Sequence, residues 1–327
     1  MKKTIITAVA VVAVIALLLG GFPLFSRVVY GRSQAATIFA WQFHKEAYTT
    51  EEAFQAHLAQ KRRENSFRYT LPPSAKFTVP VERRMYEDMV FFHLNATDTP
   101  EIMLFYFPGG SYTDPPRVVH WQFLNRLAKE TDAMVVVPVY PKLPDADAET
   151  SYAMLTDFYT DYMDDHHCGK LVFMGDSAGG GLALSFAMQL RDAGLSGPDE
   201  LILLSPWVDV TMSNPDIPAY DKKDSALDAT MLAHLGALWA GDLDPTDPIV
   251  SPLYGSFEGL GRITVVYSQS ENLYPDITAL CAALDDAGAD YTTYIERGMF
   301  HVWPLYVAYD IPEVQSTFAF IASAVAD

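Results

Sequence analysis

Short apolar runs recur along the chain between residues 76 and 295, and more polar stretches separate them. Runs of this kind, rich in Val, Ile, Leu and aromatic residues, are typical of buried β-strands. The predicted strands are Lys76–Val81, Met85–Leu94, Ile102–Phe107, Ala133–Val139, Leu171–Met174, Leu201–Leu204, Ile263–Tyr267 and Tyr291–Ile295.

The stretches between these runs place apolar residues at helical spacing, as Tyr152, Leu155, Tyr159 and Met163 show. The predicted helices are Val119–Thr131, Tyr152–Met163, Ala178–Ala193, Asp276–Ala287 and Glu313–Ala326. Short apolar strands that alternate with amphipathic helices predict an α/β fold, in which a mostly parallel central sheet has helices on both faces.

Two segments depart from this alternation. Ser33 to Asn65 reads as helical, and Thr49-Thr50-Glu51-Glu52 within it has the composition of a helix start. Trp207–Val250 is rich in Asp and Pro and holds a predicted helix at Asp228–Trp239. Because this second segment lies between two predicted strands, we interpret it as an inserted cap.

A strongly apolar run, Ile5 to Phe25, follows Lys2 and Lys3. A membrane-spanning helix needs about 20 such residues. Residues 1–25 are therefore predicted to be an uncleaved signal-anchor and residues 26–327 the folded unit. The alternative is a cleaved signal peptide and a secreted protein, but the nearest small-x-small pattern, Ser33-Gln34-Ala35, lies well beyond the run.

The lysines before the run predict a membrane-anchored protein whose folded domain is extracytoplasmic. Arg27 and Arg32, which follow the run, count against this orientation. No cysteine comes directly after the run, which excludes lipoprotein processing.

Composition narrows the classes of partner. The chain has 41 acidic and 22 basic residues, a formal net charge of −19, and such a surface repels nucleic acids. Cys168 and Cys281 form no CxxC pattern, so neither a disulfide framework nor a zinc site is predicted. The oligomeric state does not follow from these features.

The strongest chemical signal is Gly175-Asp176-Ser177-Ala178-Gly179, which fits the pattern G-x-S-x-G. It follows a predicted strand and precedes a predicted helix, which is the context that this motif requires. A sharp strand-to-helix turn exposes the serine hydroxyl at the sheet edge, and the helix amino terminus favours developing negative charge. Ser177 is therefore the predicted nucleophile.

A glycine-rich segment, Pro108-Gly109-Gly110-Ser111-Tyr112, directly follows the predicted strand Ile102–Phe107. Acyl transfer requires backbone amides that stabilise an oxyanion. The amides of Gly110, Ser111 and Ala178 are predicted to form this hole, with Gly109 as a further contributor.

A serine nucleophile needs a base, and the base needs an orienting acid. His301 follows the last predicted strand, and Glu271 follows the strand Ile263–Tyr267. The order Ser177, Glu271, His301 is the serine–acid–histidine order of hydrolases with this motif. Asp276 is the rival acid, but we expect it to cap the following helix.

With these motifs the chain resembles the hormone-sensitive-lipase-like branch of the α/β-hydrolase fold, from the second strand to the carboxyl terminus. The resemblance rests on four segments: Gly175 to Gly180, Val139 to Pro144, Ser205 to Asp209 and Glu271 to Asp276. It implies hydrolysis of acyl esters without metal or organic cofactor. It also implies a cap built from about residues 33–70 and 207–250.

Two positions differ from the pattern of that branch. Pro108 stands where the branch has a histidine that steadies the oxyanion loop, and a rigid proline is expected to hold the turn instead. Glu271 replaces an aspartate as the triad acid, and its longer side chain is still able to orient an imidazole.

The leading hypothesis is therefore a membrane-anchored carboxylic-ester hydrolase whose partner is a small-molecule ester. One alternative is an acyltransferase or deacetylase that acts on an envelope glycan or a sterol-like alcohol with the same triad. A second alternative is a non-catalytic protein of this fold that binds a ligand or partner.

Overall fold

An eight-stranded sheet forms the centre of the computed structural model, which describes residues 20–45, 50–65 and 68–327. The strands are β1 (Val81–Tyr86), β2 (Met89–Leu94), β3 (Ile102–Phe107), β4 (Met134–Pro138), β5 (Lys170–Asp176), β6 (Glu200–Leu204), β7 (Arg262–Ser268) and β8 (Tyr291–Glu296). Their order is β1-β2-β4-β3-β5-β6-β7-β8. The β1–β2 and β2–β4 pairs are antiparallel and the other pairs are parallel, so the predicted mostly parallel sheet is confirmed.

Helices cover both faces of this sheet. They are α1 (Phe22–Phe25), α2 (Gln34–Ala40), α3 (Glu51–Asn65), α4 (Val118–Thr131), α5 (Ala148–Asp165), α6 (Ala178–Asp192), α7 (Ile217–Asp221), α8 (Ala229–Ala240), α9 (Tyr274–Ala287) and α10 (Pro312–Ala326). Successive residues of a strand point to opposite faces. In β3, Phe105 therefore packs in the layer that contains α5 and α6, whereas Leu104 packs in the layer that contains α4 and α10.

The amino-terminal strands differ from the prediction. Met85–Leu94 is not one strand, because a turn at Glu87 and Asp88 separates β1 from β2, and Glu87 adopts a positive φ of 48°. The predicted strand Lys76–Val81 is wrong except at its last residue. The amides of Thr78 and Val79 bond the side chain of Asn125 on α4, so this backbone does not pair with the sheet.

The sheet has a topological switch point at β3, which lies between β4 and β5. In open α/β sheets, ligands bind in the crevice outside the carboxyl ends of the strands at such a point. The loop Pro108–Tyr112 follows β3, and Ser177 follows β5. The sheet topology therefore brings two of the predicted site elements to one crevice.

Most of the predicted membrane anchor lies outside the described residues, which begin at Gly20. Among the residues that are described, no helix is both long and apolar enough to cross a membrane. Helix α1 continues as a π-helix over Ser26–Tyr30.

In its described part, 33–45 and 50–65, the predicted helical segment Ser33 to Asn65 contains two helices, α2 and α3. Helix α3 begins at Glu51, and Thr50 Oγ1 accepts a hydrogen bond from the amide of Ala53 at 3.2 Å. The predicted helix start is therefore confirmed.

The predicted insertion Trp207–Val250 contains the short helix α7 and the longer helix α8. Asp228 caps α8 by accepting a hydrogen bond from the amide of Met231 at 2.9 Å. The predicted helix Asp228–Trp239 is thus confirmed, with a shift of one residue at each end.

Candidate active site

Ser177 stands at the sharp turn between β5 and α6. Its φ of 55° and ψ of −124° place it in a conformation that non-glycine residues rarely adopt. Hydrogen bonds hold this turn from both sides, because the Ser177 amide donates to Leu204 O at 2.8 Å and the Ser177 carbonyl accepts from the Trp207 amide at 2.9 Å. The last residue of β6 and the segment that follows it thus fix the serine that the motif predicts.

The motif's glycines allow this turn to form. A Cβ on Gly179 would lie 1.9 Å from the carbonyl oxygen of Phe107 at the end of β3. A Cβ on Gly175 would lie 2.1 Å from the carbonyl oxygen of Gly179. Both approaches are to backbone atoms that cannot move aside, so only glycine fits at these positions.

The structure brings His301 and Glu271 together although 30 residues separate them. His301 Nδ1 lies 2.6 Å from Glu271 Oε2, a short distance that is typical of a charge-assisted hydrogen bond. Glu271 is fully buried, and His301 is nearly so. With Nδ1 donating to the carboxylate, the lone pair of the neutral imidazole lies on Nε2.

Two further hydrogen bonds fix the Glu271 carboxylate. Its Oε1 atom accepts from Ser205 Oγ at 2.9 Å and from the Ser268 amide at 2.8 Å. Ser268 is the last residue of β7, and Ser205 directly follows β6. The carboxylate is therefore anchored to two strands, which fixes the orientation of the histidine that it holds.

Burial alone would lower the pKa of His301. The hydrogen bond and negative charge of Glu271 act in the opposite direction, and Asp224 and Asp176 add to them, so the pKa of His301 is raised above its ordinary value. The Nε2 atom of His301 is buried and bonds to no other group in the described part of the chain. It is thus available to a bound reactant or to the serine.

The loop after β3 has an unusual backbone. Gly110, Ser111 and Tyr112 have positive φ values of 128°, 50° and 59°. The Gly110 carbonyl accepts from the amides of Thr113 and Asp114 at 2.9 Å each, which closes the turn. The amides of Gly110 and Ser111 make no hydrogen bond to other described residues, and both residues line the cavity that contains Ser177.

The amide of Gly109 is not free to take the role predicted for it in the oxyanion hole. It donates to Asp176 Oδ1 at 2.9 Å, so this N–H is already engaged. A contribution of Gly109 to the oxyanion hole is therefore wrong, because Asp176 uses its donor.

Asp276 also differs from its predicted role. The residue that precedes α9 is Leu273, so Asp276 lies inside the first turn of the helix and does not cap it. Burial raises the pKa of Asp276 to about 7, with Asn214 opposing the shift and Asp209 reinforcing it. The hydrogen bond from His301 Nδ1 goes to Glu271.

The site opens into a cavity of about 400 Å³, a size that suits a small organic ligand. Ser177, His301, Gly110 and Ser111 line it from the edge of the sheet. Both predicted cap segments contribute walls: Gln42, Phe43, His44 and His57 come from the first, and Ala226, Leu227, Asp228, Met231 and Leu232 come from the second.

Residues 104–305 match the family described as the alpha/beta hydrolase fold, and this range contains every predicted site residue. It covers more than half of the chain. The chain belongs to the α/β-hydrolase family.

Two curated relatives of this hydrolase carry names of ester hydrolases. A triacylglycerol lipase of Mycobacterium tuberculosis is 32% identical over 199 residues, which cover 60% of this chain and 41% of the lipase. An acetyl-hydrolase of Streptomyces hygroscopicus is 30% identical over 212 residues, which cover 62% of this chain and 68% of that protein. The hydrolase thus spans less than half the length of the lipase and about two thirds of the acetyl-hydrolase.

Solved structures share the fold of the hydrolase. A candidate esterase from Staphylococcus aureus has a TM-score of 0.82 and 26% identity, over 89% of this chain and 98% of that one. An esterase from the bacterial hormone-sensitive lipase family has a TM-score of 0.72 and 21% identity, over 90% of this chain and 96% of that one. The fold that the motifs predicted by resemblance is confirmed.

Two hydrogen bonds hold the loop after β3 at Pro108 and Gly109, where the resemblance led us to expect a rigid proline to hold the turn. The Tyr140 hydroxyl donates to the Pro108 carbonyl at 2.8 Å, and Asp176 accepts the Gly109 amide. Asp176 also accepts from the Tyr106 hydroxyl at 2.6 Å and lies 3.3 Å from His120 Nε2. The sequence does not indicate these supporting contacts, although Asp176 lies inside the nucleophile motif.

Burial alone would raise the pKa of Asp176, yet His120, Tyr106 and the Gly109 amide together lower it. The group is therefore a carboxylate at neutral pH. A fixed negative charge beside Ser177 acts as the acceptor that orients the loop after β3.

The cap insertion also contacts the loop that carries Glu271. Asp224 Oδ2 accepts from the amide of Asn272 at 2.9 Å, and Asp221 Oδ1 accepts from the Asn272 side chain at 3.0 Å. Asp221 Oδ1 is also 3.0 Å from Lys45 Nζ, which belongs to the first cap segment. Both cap segments are thus tied to the residue that directly follows Glu271.

Proposed function

We propose that this α/β hydrolase is a serine esterase that cleaves carboxylic esters, acyl or acetyl, of a small or lipid-like alcohol. One observation carries the proposal: a buried carboxylate holds His301 by Nδ1, and the free Nε2 atom shares a cavity with Ser177. The names of the relatives, a lipase and an acetyl-hydrolase, support the same reaction class.

In the first step His301 Nε2 takes the proton of Ser177 Oγ as the oxygen attacks the ester carbonyl. Glu271 stabilises the imidazolium that forms and keeps the proton of Nδ1 in place. The raised pKa of His301 supports this role, because it reflects the same stabilisation of the charged ring.

Attack on the carbonyl creates a tetrahedral oxyanion, which needs donors fixed in advance. The amides of Gly110 and Ser111 are not engaged elsewhere in the described residues, and the amide of Ala178 begins helix α6. These three donors form the proposed oxyanion hole. Because the loop is already closed by its own hydrogen bonds, little reorganisation is needed during the reaction.

Collapse of the intermediate breaks the bond to the alcohol, which leaves with the proton from His301 and an acyl group on Ser177. A water molecule then gives a proton to His301 and attacks the acyl carbonyl. The second collapse releases the carboxylic acid and returns the proton to Ser177.

The residue assignment is tested by Ser177→Ala in the full chain. Loss of a triad nucleophile costs on the order of 10⁶ in turnover, so hydrolysis of an aryl acetate should fall to background. Ser213→Ala, at an exposed serine, is the matched control and should keep full activity. If purified Ser177→Ala keeps more than about one per cent of wild-type activity, the nucleophile lies elsewhere.

We further propose that residues 1–25 anchor the enzyme in a membrane and that its catalytic domain is extracytoplasmic. The apolar run Ile5 to Phe25 after two lysines supports this anchor. Retention of the run is supported by Ser33, which is buried and bonds the carboxylate of Glu313 through both its amide and its hydroxyl. Cleavage at Ser33-Gln34-Ala35 would remove this contact.

The anchor is tested by washing membranes with carbonate and by sequencing the amino terminus of the mature protein. An inserted helix is held by hydrophobic burial and should resist the wash. Protein released by the wash, or a mature chain that begins near Gln34 to Ala36, would establish cleavage or peripheral attachment instead.

A further inference from the structure

Large exposed apolar side chains are concentrated near the amino terminus. Among the described residues, seven of the eleven fall between residues 24 and 41: Leu24, Phe25, Val28, Val29, Tyr30, Ile38 and Trp41. We call these seven residues the amino-terminal apolar surface. Isolated exposed apolar residues are ordinary on soluble proteins, but a cluster of this size marks an interaction site.

Ring contacts join the two parts of this surface. Phe22 lies 5.8 Å from Trp41 between ring centroids, although the two residues belong to α1 and to the turn after α2. Phe25 lies 5.7 Å from Tyr30. The helical segment from Phe22 to Tyr30 therefore folds back beside α2 and presents one continuous face.

Hydrogen bonds attach the segment that carries this surface to the rest of the enzyme. Glu313 at the start of α10 accepts hydrogen bonds from the amide and hydroxyl of Ser33 at 2.6 and 2.7 Å. Arg32 donates to the Gly298 carbonyl at 3.0 Å. These contacts fix the orientation of the surface relative to the sheet.

The surface also adjoins the catalytic cavity. Directly after Trp41, the residues Gln42, Phe43 and His44 line the cavity wall. Phe43 packs 5.7 Å from Tyr306, which lines the same cavity. A ligand that enters beside this wall passes close to the apolar surface.

The distribution of charged residues along the chain indicates which kind of partner covers the amino-terminal apolar surface. Residues 20–45 contain three basic residues, Arg27, Arg32 and Lys45, and no acidic one, whereas residues 46–327 contain all 41 acidic residues and 17 of the 22 basic ones. The side chain of Arg27, within the segment, is 65% exposed. An acidic body is repelled by another copy of itself, whereas an apolar and basic segment suits a lipid headgroup boundary.

We propose that the amino-terminal apolar surface docks into the interface of a lipid bilayer and sets the catalytic cavity against it, so that the substrates are esters dissolved in the bilayer. The proposal rests on the proposed esterase function. Tyr30 and Trp41 are the aromatic types that favour such interfaces, and Arg27 is able to reach phosphate groups. The proposed anchor, residues 1–25, is expected to enter the same bilayer.

The tryptophans supply a direct test. The chain has five, all within the described residues, and Trp121, Trp207, Trp239 and Trp303 are fully buried whereas Trp41 is 58% exposed. The full-length protein is reconstituted in phosphatidylcholine vesicles with brominated acyl chains, which quench nearby indole rings. We expect quenching relative to unbrominated vesicles, and Trp41→Phe should abolish the difference.

A second experiment tests whether the amino-terminal apolar surface gives the enzyme access to esters in the bilayer. The full-length double variant Val28→Asp, Val29→Asp should hydrolyse hexadecyl acetate in vesicles about tenfold more slowly than the wild type, because charges replace two exposed valines that docking would bury in lipid. Its rate on water-soluble p-nitrophenyl acetate should stay within about twofold. Ile295→Asp, which changes an exposed isoleucine on β8, is the matched control and should affect neither rate.

The outcomes separate the docking proposal from the esterase proposal. Protein that sediments with vesicles but shows no Trp41 quenching would overturn docking, and so would an unchanged rate on hexadecyl acetate. Protection of Trp41 from iodide without quenching by brominated lipid would assign the surface to a second copy. A wild-type protein that hydrolyses neither ester would instead refute the esterase function, and the quenching result would still decide docking.

Discussion

Replacing Glu271 by glutamine changes one atom at the hydrogen bond that orients His301. The consequence follows from the partners of the other carboxylate oxygen. Oε1 accepts from the Ser268 amide, a donor that cannot reverse its role, and from Ser205 Oγ. The glutamine must therefore turn its carbonyl oxygen toward Ser268 and its NH₂ group toward His301.

An NH₂ group facing Nδ1 stabilises the wrong tautomer of His301, with the proton on Nε2. That nitrogen then cannot accept the proton of Ser177. A carboxylate-to-amide change of this kind in a serine–histidine triad lowers turnover by about 10⁴, or about 5.5 kcal/mol of transition-state stabilisation. We expect a loss of this size for Glu271→Gln.

The pH dependence of kcat/KM provides a second test of Glu271→Gln. The neutral imidazole is the base, so kcat/KM rises with pH through the pKa of His301, which Glu271 raises. Without that charge the pKa falls, and the midpoint of the profile should move to lower pH while the plateau drops. Turnover and pH profiles on an aryl acetate measure both effects.

Asp276→Asn is the matched control for this experiment. Asp276 is a buried carboxylate on α9 that does not receive the hydrogen bond of His301. Its replacement should leave turnover close to wild type. A larger loss for Asp276→Asn than for Glu271→Gln, in folded protein, would refute the assignment of the acid.

Three further predictions concern the surroundings of the site. Tyr140→Phe removes the hydrogen bond to the Pro108 carbonyl and should lower kcat about tenfold, measured on an aryl acetate, with about 1 kcal/mol of stability lost. The pKa of Asp276 is raised to about 7 in the folded state, so this residue lowers the free energy of unfolding as pH rises from about 4 to about 7. Asp276→Asn should therefore be more stable than wild type at pH 8, by at most about 4 kcal/mol, and differ little from it at pH 4. Chemical denaturation at the two pH values measures the difference. Gly179→Ala places a methyl group 1.9 Å from Phe107 O and should prevent folding, as judged by circular dichroism, whereas alanine at Gly197, which faces open space, should not.

Much of the site is predictable because its signals are local. The nucleophile turn depends on glycines within two residues of Ser177, and the strand before it is a continuous apolar run. Glu271 and His301 each follow a strand that is apolar enough to recognise. Parallel strands end at one edge of a sheet, so these residues were expected to meet.

The supporting contacts are not predictable in this way. His120 lies 56 residues from Asp176, and Asp224 lies 48 residues from Asn272. Nothing in the local sequence indicates that these groups meet, because the meeting depends on how α4 and the cap pack. Gly109 shows what the local sequence cannot predict. It looks equivalent to its neighbour Gly110, and only the folded structure shows that Asp176 accepts a hydrogen bond from its amide.

The errors at the amino-terminal strands have a similar origin. Met85–Leu94 is apolar at both ends, and the charged pair Glu87 and Asp88 inside it is too short to stand out as a turn. The segment before Val81 has β-forming residues, but Asn125 on α4 takes the amides that a strand would use. Tertiary contacts therefore override the local pattern.

The proposed mechanism depends above all on Ser177 being a nucleophile that His301 activates. The most direct measurement is reaction of the full-length protein with a fluorophosphonate, followed by mass spectrometry of the modified peptide. We expect one adduct, on Ser177, and a labelling rate that falls sharply in His301→Ala. An unlabelled wild-type protein, an adduct on another serine, or a rate that His301→Ala leaves unchanged would contradict it.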